Sequence, residues 1–301
     1  MDIVDVATEG EHLTIEIFNR AISFVNFDSE GVRSIHRICE TLRAVAAGGT
    51  EAVRPPEPAA GPRRRGRMRL PNQAGMCELC HRPVTFAESG DHAVVCAGLH
   101  DGTAGDEKTL VQLLVTAPGL SAYWLRLEAR TDSKLEALDG YLRDIWLECC
   151  GHLSMFRIGN TEYHSQIPEE FDMPFLGRSR PRPVKKTMSV RLAAALPPVG
   201  TPIEYEYDFG STTTLQLQVE GERHGRIGRA SVRLLARNEP VAWPCAICGA
   251  PATLVCPFCP GDPAGLVCSR HRKRHPCEDA DDAFRPVVNS PRMGVCGYTG
   301  P

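Results

Sequence analysis

The chain has 301 residues, of which 42% are hydrophobic and 24% are charged, so it can bury a sizeable core and has room for about two domains. Its formal net charge of −3 at pH 7 argues against a protein that coats nucleic acid over its whole surface. The sequence contains no run of roughly eighteen apolar residues, so it predicts no membrane span. The acidic start of the chain is unlike a secretory signal. We therefore expect a cytoplasmic protein with no membrane partner.

The first fifty residues predict a small ββα lobe. The alternation of polar and apolar residues in His12–Ile17 predicts a strand, and residues 22–27 predict a second strand after a short turn. A helix with its apolar positions on one face follows and ends at Gly48.

Residues 51–72 differ sharply from the lobe in composition. They are rich in proline, glycine and arginine, which is typical of an exposed, semi-rigid linker. The arginines at 63–69 could contact phosphate groups, although no aromatic residue lies among them to stack on a base.

Residues 107–240 predict one central α+β domain. We expect a mixed or antiparallel sheet with helices packed on one face. Apolar periodicity predicts helices at 107–117, 134–147 and 187–196. Alternation predicts strands at 123–128, 152–158, 203–209, 213–220 and 230–236.

Cysteine is the residue that most distinguishes this chain. There are thirteen, an odd number, and many stand in CxxC pairs with histidine close by. In a chain without an export signal this pattern favours zinc sites over a disulfide framework. We expect small zinc-stabilised modules beside the central domain.

The strongest metal pattern lies between Cys245 and Cys277. Four ligand pairs follow one another, which gives the eight ligands that two tetrahedral zinc ions require. In a cross-brace, one ion is held by Cys245, Cys248, Cys268 and His271, and the other by Cys256, Cys259, His275 and Cys277. A sequential pairing is the alternative, and spacing does not separate the two. In ligand count and order the pattern resembles the B-box and MYND interaction fingers.

A second metal pattern precedes the central domain. Its predicted ligands for one structural zinc ion are Cys77, Cys80, Cys96 and His100. Two further histidines, His81 and His92, compete for the fourth position. The alternative is a reduced CxxC with redox activity.

The remaining cysteines give no local pattern. Adjacent cysteines rarely share a metal ion, so Cys149 and Cys150 are assigned to the core, as is Cys39. Cys296 has no partner nearby in the sequence, and whether it is a ligand stays open.

The segment 204–210, Glu-Tyr-Glu-Tyr-Asp-Phe-Gly, carries a family resemblance. It resembles the plasmid pRiA4b-type family, also described as TnpR-like insertion-element passengers, in which this strand enters a hairpin and a further strand that ends in Glu, here Glu220. The helix at 135–146 and the strand that begins at His152 are similar to that family's elements. The resemblance covers about residues 121–240. It implies a compact α+β sheet with helices on one face.

No catalytic residue is assigned. Asp208, His152, His164 and Glu162 could supply an acid and a base if they met in space, but Asp208 before Phe-Gly is more typical of a turn acceptor. The sequence favours a non-enzymatic zinc scaffold or adaptor that recognises a protein partner. The first alternative is a nucleic-acid-binding protein of a mobile-element or defence system, and the second is an uncharacterised enzyme. Phosphate contacts would come from the basic segments 63–69, 178–186 and 270–274.

The predicted organisation has six parts in chain order. They are the lobe 1–50, the linker 51–72, a small zinc element 73–106, the central domain 107–240, a two-zinc finger 241–280 and a tail 281–301.

Overall fold

A computed structural model divides the chain into two compact units, residues 1–68 and 69–301. It describes the main chain of residues 3–9, 12–17 and 20–25, and it describes main chain and side chains over 74–103, 105–167, 183–259, 261–277 and 283–301.

The described part of the first unit is a three-stranded antiparallel sheet in the order β1-β2-β3. Its strands are β1 (Ile3–Glu9), β2 (His12–Ile17) and β3 (Arg20–Val25). The two predicted strands are present, and β1 is an additional strand. The helix predicted to end at Gly48 and the linker 51–72 lie outside the described residues.

The second unit contains a ten-stranded sheet in the order β10-β9-β8-β11-β12-β6-β7-β13-β4-β5. Its neighbouring strands are antiparallel except β9 and β10, which run parallel, so the sheet is mixed. The predicted α+β class with a mixed sheet is confirmed. The strands are β4 (Ala74–Cys77), β5 (Pro83–Thr85), β6 (Lys108–Thr116), β7 (Trp124–Arg130), β8 (Ser154–Ile158), β9 (Thr161–His164), β10 (Val184–Thr187), β11 (Pro202–Tyr207), β12 (Thr213–Gly225) and β13 (Val232–Asn238).

The helix predicted at 107–117 is wrong, because these residues form strand β6. The strand pairs with β12 on one side and β7 on the other, near the middle of the sheet. Leu110, Val111 and Leu113 are all buried although they lie on opposite faces. A strand covered on both faces shows a continuous apolar run, which periodicity alone does not separate from a buried helix.

Three α-helices lie in the described part of the second unit. They are α1 (Phe86–Leu99), α2 (Leu135–Leu142) and α3 (Leu192–Ala195). A π-helical turn, Arg143–Leu147, extends α2, so the helix predicted at 134–147 is confirmed with a change of pitch at its end. Both α1 and α2 contact β13. The helix predicted at 187–196 is present only as the short α3. None of the helices in the described ranges has the length and apolarity that a membrane crossing requires.

The cysteine-rich C-terminal region has little regular structure. Its three short strands, in the order β15-β14-β16, are β14 (Leu254–Val255), β15 (Leu266–Val267) and β16 (Arg285–Pro286). Two 3-10 turns, Pro263–Gly265 and Ser269–Arg274, accompany them. Strand β16 comes from the predicted tail, so part of that tail, within the described residues 283–301, completes this small sheet.

Candidate metal centres

Four groups of cysteine and histidine meet in the described part of the chain. Each contains three cysteines and one histidine, and within each group the ligand atoms all lie within 4.8 Å of one another. We name them cluster 1 (Cys77, Cys80, His92, Cys96), cluster 2 (Cys245, Cys248, Cys268, His271), cluster 3 (Cys256, Cys259, His275, Cys277) and cluster 4 (Cys149, Cys150, His152, Cys296). All twelve described cysteines belong to these clusters, and all are free thiols.

The distances within the clusters suit a tetrahedral zinc ion. Zinc bonds of about 2.3 Å to sulfur and 2.0–2.1 Å to nitrogen place tetrahedral ligands about 3.8 Å apart for two sulfurs and about 3.6 Å apart for sulfur and nitrogen. In cluster 1 the Sγ atoms of Cys77 and Cys96 are 3.6 Å apart, and Cys80 Sγ lies 3.4 Å from His92 Nε2. A disulfide would need a sulfur separation of about 2.05 Å.

Cluster 1 joins the β4–β5 hairpin to helix α1. Cys77 ends β4 and Cys80 lies in the turn, which the hydrogen bond from Cys77 N to the Arg82 carbonyl closes at 3.0 Å. A capping box of Thr85 and Glu88 begins α1. His92 and Cys96 are four residues apart on this helix, so both face the hairpin. Because β4 and β5 belong to the large sheet, this zinc element and the central region share one sheet.

The fourth position of cluster 1 differs from the prediction. The structure brings His92 to the three cysteines, whereas His100 and His81 lie outside the group. Helix α1 ends at Leu99, so His100 is its C-terminal cap. The His100 Nδ1 atom lies 3.5 Å from Cys96 Sγ, but it lies closer, at 2.9 Å, to the Cys96 carbonyl oxygen. This ring nitrogen is therefore engaged by the main chain at the helix end.

Clusters 2 and 3 group the four ligand pairs of the finger as a cross-brace. The first pair meets the third and the second meets the fourth, so the sequential alternative is not what the structure shows. In cluster 2, Cys248 Sγ lies 3.9 Å from Cys268 Sγ, and Cys245 Sγ lies 3.6 Å from His271 Nδ1.

Cluster 3 has the same spacing. Cys259 Sγ lies 3.6 Å from Cys277 Sγ and 3.5 Å from His275 Nε2. Strands β14 and β15 pair antiparallel and lead into Cys256 and Cys268, so these two cysteines lie at opposite ends of the strand pair, one in each cluster.

The main chain around the first CxxC turn of the finger, which we call a knuckle (Cys245–Cys248), favours the thiolate form of Cys245. Burial raises the pKa of the Cys245 thiol, but hydrogen bonds from the main chain of Cys268, Cys248 and Ile247 outweigh it and lower this pKa to about 6. In cluster 3, burial and the neighbouring thiols raise the pKa of Cys259 to about 12. Without a cation the thiolates of one cluster repel each other, so a bound divalent ion would allow all three to ionise together.

Cluster 4 was not predicted. The assignment of Cys149 and Cys150 to the core is wrong, because Cys149 is only half-buried and Cys150 is exposed. The fold brings Cys296 to them although it is 146 residues from Cys150. One signal in the sequence points to the site: once three Cys₃His sets are assigned, four cysteines are left over, Cys39, Cys149, Cys150 and Cys296, and His152 is two residues from Cys150.

The acid–base candidates fall into two separate places. Asp208 Oδ1 accepts hydrogen bonds from the main-chain N–H groups of Gly210 at 3.0 Å and Ser211 at 3.2 Å, which confirms the predicted turn. Asp208 Oδ2 lies 3.5 Å from His152 Nε2. His164 Nε2 instead lies 3.2 Å from Glu162 Oε2.

The basic segments are only partly described. Residues 63–69 and most of 178–186 lie outside the described residues. Lys185 and Lys186 are exposed on β10, and the 3-10 turn of the finger exposes Arg270, Lys273 and Arg274. The finger therefore presents a positively charged surface beside clusters 2 and 3.

The fold and the clusters together define an α+β protein with Cys/His groups that could hold metal ions. A scan against protein-family models and a search of the curated proteins both give no match. Among solved structures, the chain is similar to MM3350 from Methanosarcina mazei Go1, a protein of unknown function, at 16% identity over 43% of this chain and 67% of that chain, with a TM-score of 0.32. A likeness at this level carries no argument about what the chain does.

Proposed function

We propose that this protein is a non-enzymatic scaffold built around structural zinc ions, with the finger as its recognition surface. The observation that carries the proposal is the composition of the clusters. Three cysteines and one histidine supply all four ligands of a tetrahedral ion, so no position remains for a water molecule to be activated. A site of this kind stabilises a fold and does not catalyse.

Zinc would matter most in the finger. The regular strands of this region are two residues long and the rest is turns, so its apolar core is small. In such a short segment the binding energy of the metal supplies much of the folding energy. Free thiols in every described cluster also suit a reducing compartment, and a cytoplasmic location is part of the proposal.

The partner of the proposal is a protein segment that combines apolar and acidic residues. Ile247 and Phe258 occupy the same position in the two CxxC knuckles, and their side chains are 39% and 57% exposed. Large apolar side chains held outwards on a rigid turn are typical anchors of a protein interface. The exposed Arg270, Lys273 and Arg274 of the same finger would attract acidic groups.

The experiment is affinity capture from a lysate with the zinc-loaded full chain and with the double variant Ile247→Ser/Phe258→Ser. Val199→Ser is the matched control, because Val199 is a 61% exposed apolar residue outside the finger. We expect the double variant to lose a captured protein that the control retains, with an unchanged zinc content in both. Equal capture by all three proteins would contradict recognition through the knuckles.

Nucleic-acid binding is the second candidate, favoured by the same exposed basic residues, Arg270, Lys273 and Arg274. Phosphate binding weakens steeply as salt rises, because counterions are released from the nucleic acid. A DNA or RNA complex whose affinity falls steeply with salt would support this candidate. A salt-insensitive protein complex supports the first.

The resemblance to the pRiA4b-type family remains part of the proposal for about residues 121–240. It is supported by the local geometry at the motif, where β11 and β12 form the antiparallel hairpin that the resemblance implies. Strand β12 continues past Glu220 as far as Gly225, which is longer than the resemblance implies. A mobile-element or defence setting follows only from this resemblance.

A further inference from the structure

We propose that cluster 4 (Cys149, Cys150, His152 and Cys296) is a fourth metal site, suited to a soft divalent ion such as zinc, which fastens the C-terminal segment 283–301 to the central sheet. The inference uses the zinc chemistry of the proposed function, but it does not depend on the finger or on any partner.

Three of the distances in cluster 4 match those of the other three clusters. Cys150 Sγ lies 3.7 Å from both Cys149 Sγ and Cys296 Sγ, and Cys296 Sγ lies 3.5 Å from His152 Nε2. These values fit the edges of a zinc tetrahedron, about 3.8 Å and about 3.6 Å. The separation of Cys150 Sγ and His152 Nε2 is shorter, at 2.9 Å, so these two ligands must move apart by about 0.7 Å to reach the tetrahedral spacing. Both are exposed or half-exposed and have room to do so.

The main chain is strained at this site. Three non-glycine residues in the described part of the chain have positive φ, and two of them, Asp208 at 64° and Cys296 at 53°, lie at cluster 4. A side chain in the left-handed region costs free energy that glycine would avoid. A metal bond from the Cys296 side chain would compensate part of this cost.

The metal would act where the tail meets the sheet. Arg292 and Ser290 of the tail are 0% exposed, and Ser290 Oγ donates a hydrogen bond of 2.6 Å to the Trp146 carbonyl. Cys296 follows this buried stretch, while Cys149 and Cys150 follow the π-helical turn that contains Trp146. A bond between these two places closes a loop of nearly 150 residues, where cross-linking restricts the unfolded chain most.

The surroundings of cluster 4 compensate its charge. Three thiolates and a divalent ion carry a net charge of −1. Arg292 Nη2 donates to Cys149 Sγ at 3.4 Å, and the same atom lies 2.7 Å from Asp208 Oδ2. A buried guanidinium in this position orients a ligand and balances the charge, as the outer partners of metal sites do.

Two other uses of these residues fit the geometry less well. A cysteine nucleophile with His152 as its base would need Asp208 on the opposite ring nitrogen, as in a catalytic triad. Here Cys296 and Asp208 both face Nε2, the nitrogen that a metal would bind. A disulfide between Cys150 and Cys296 would need their sulfurs to approach from 3.7 Å to about 2.05 Å, and it would leave Cys149 and His152 without a role.

The test is native mass spectrometry of the full chain, purified with its metal under reducing conditions. The variant is Cys296→Ser, and the matched control is Cys39→Ser, which changes the single cysteine outside the described clusters. We expect four zinc ions in the wild type and the control, and three in Cys296→Ser. A Cys296→His variant should restore the fourth ion as a Cys₂His₂ site.

The readout separates the possible failures. Three zinc ions in both the wild type and Cys296→Ser would overturn the fourth site and leave clusters 1 to 3 intact. Fewer than three ions in the wild type would overturn the proposed zinc scaffold together with the fourth site. In a second sample purified without reductant, a wild-type mass about two hydrogens lower, with three zinc ions, would show a disulfide in place of the metal. Hydrogen exchange provides a second check, because Cys296→Ser should speed amide exchange in 289–300 and not in the finger.

Discussion

Replacing Arg292 with methionine tests how the C-terminal segment is held. The Arg292 side chain is fully buried, its Nη2 lies 2.7 Å from Asp208 Oδ2, and its Nη1 donates to the Ser211 carbonyl at 3.1 Å and to Thr213 Oγ1 at 3.0 Å. Breaking a buried ion pair from one side costs about 3–5 kcal/mol, because the other charge is left without its partner. Asp208 keeps two main-chain N–H donors, so we expect the lower end of that range.

The assay is thermal unfolding of the zinc-loaded full chain. In a unit of this size, a loss of about 3 kcal/mol lowers Tm by roughly 6–12 °C. The double variant Arg292→Met/Asp208→Asn should recover part of that loss, because it removes the stranded carboxylate. Arg191→Met is the control, since Arg191 is exposed, and surface changes usually stay within about 0.5 kcal/mol. The reasoning is refuted if Arg292→Met unfolds within about 2 °C of the wild type, or if the two substitutions are simply additive.

Three further predictions concern the sheet and the metal. Glu128 is 0% exposed and lies 2.6 Å from both Arg223 Nε and Arg233 Nη2, so Glu128→Ala should cost about 3–5 kcal/mol in thermal unfolding, and Glu128→Gln should cost less. Gly75→Ala should destabilise by about 1–3 kcal/mol, because the new methyl group would overlap a buried tryptophan ring and a main-chain carbonyl. Gly98 lies on helix α1, and a methyl group added there meets no atom within 4 Å, so Gly98→Ala should stabilise the protein by about 0.5–1 kcal/mol. Equal effects of the two glycine changes on thermal unfolding would contradict the packing described. A strong zinc chelator should lower Tm steeply, because each site, at a metal concentration of about 1,000 Kd, adds about 4.1 kcal/mol to the free energy of unfolding. An unchanged Tm would show that bound metal does not stabilise the fold.

The parts of the site that could be predicted from the sequence are those with local spacing. The Cys and His pairs of the finger lie within about thirty residues of one another, so the sequence alone predicts the residues that the structure gathers in clusters 2 and 3. The cross-brace could not be chosen in this way, because it depends on the antiparallel pairing of β14 with β15, which puts Cys256 and Cys268 at opposite ends of the strand pair and in different clusters. Cys96 with His92 and Cys96 with His100 have the same four-residue spacing, and only the end of α1 at Leu99 separates them.

The parts that could not be predicted depend on distant contacts. Cluster 4 joins residues 146 apart, and no local pattern marks adjacent cysteines as ligands. The apolar run of strand β6 predicts a helix, because the position between β7 and β12 that buries both of its faces is a property of the whole sheet. The tail 281–301 has no periodicity, yet Arg292 and Tyr298 are buried in it, since irregular segments can also contribute to a core.

X-ray absorption at the zinc K-edge of the purified full chain tests the central claim most directly. Every described cluster supplies three sulfurs and one imidazole nitrogen, so the average first shell should contain three sulfurs at about 2.3 Å and one nitrogen at 2.0–2.1 Å. No oxygen ligand is expected, because a closed site has no bound water. A first shell dominated by oxygen or nitrogen, or a spectrum with no bound zinc at all, would contradict a scaffold built on structural zinc.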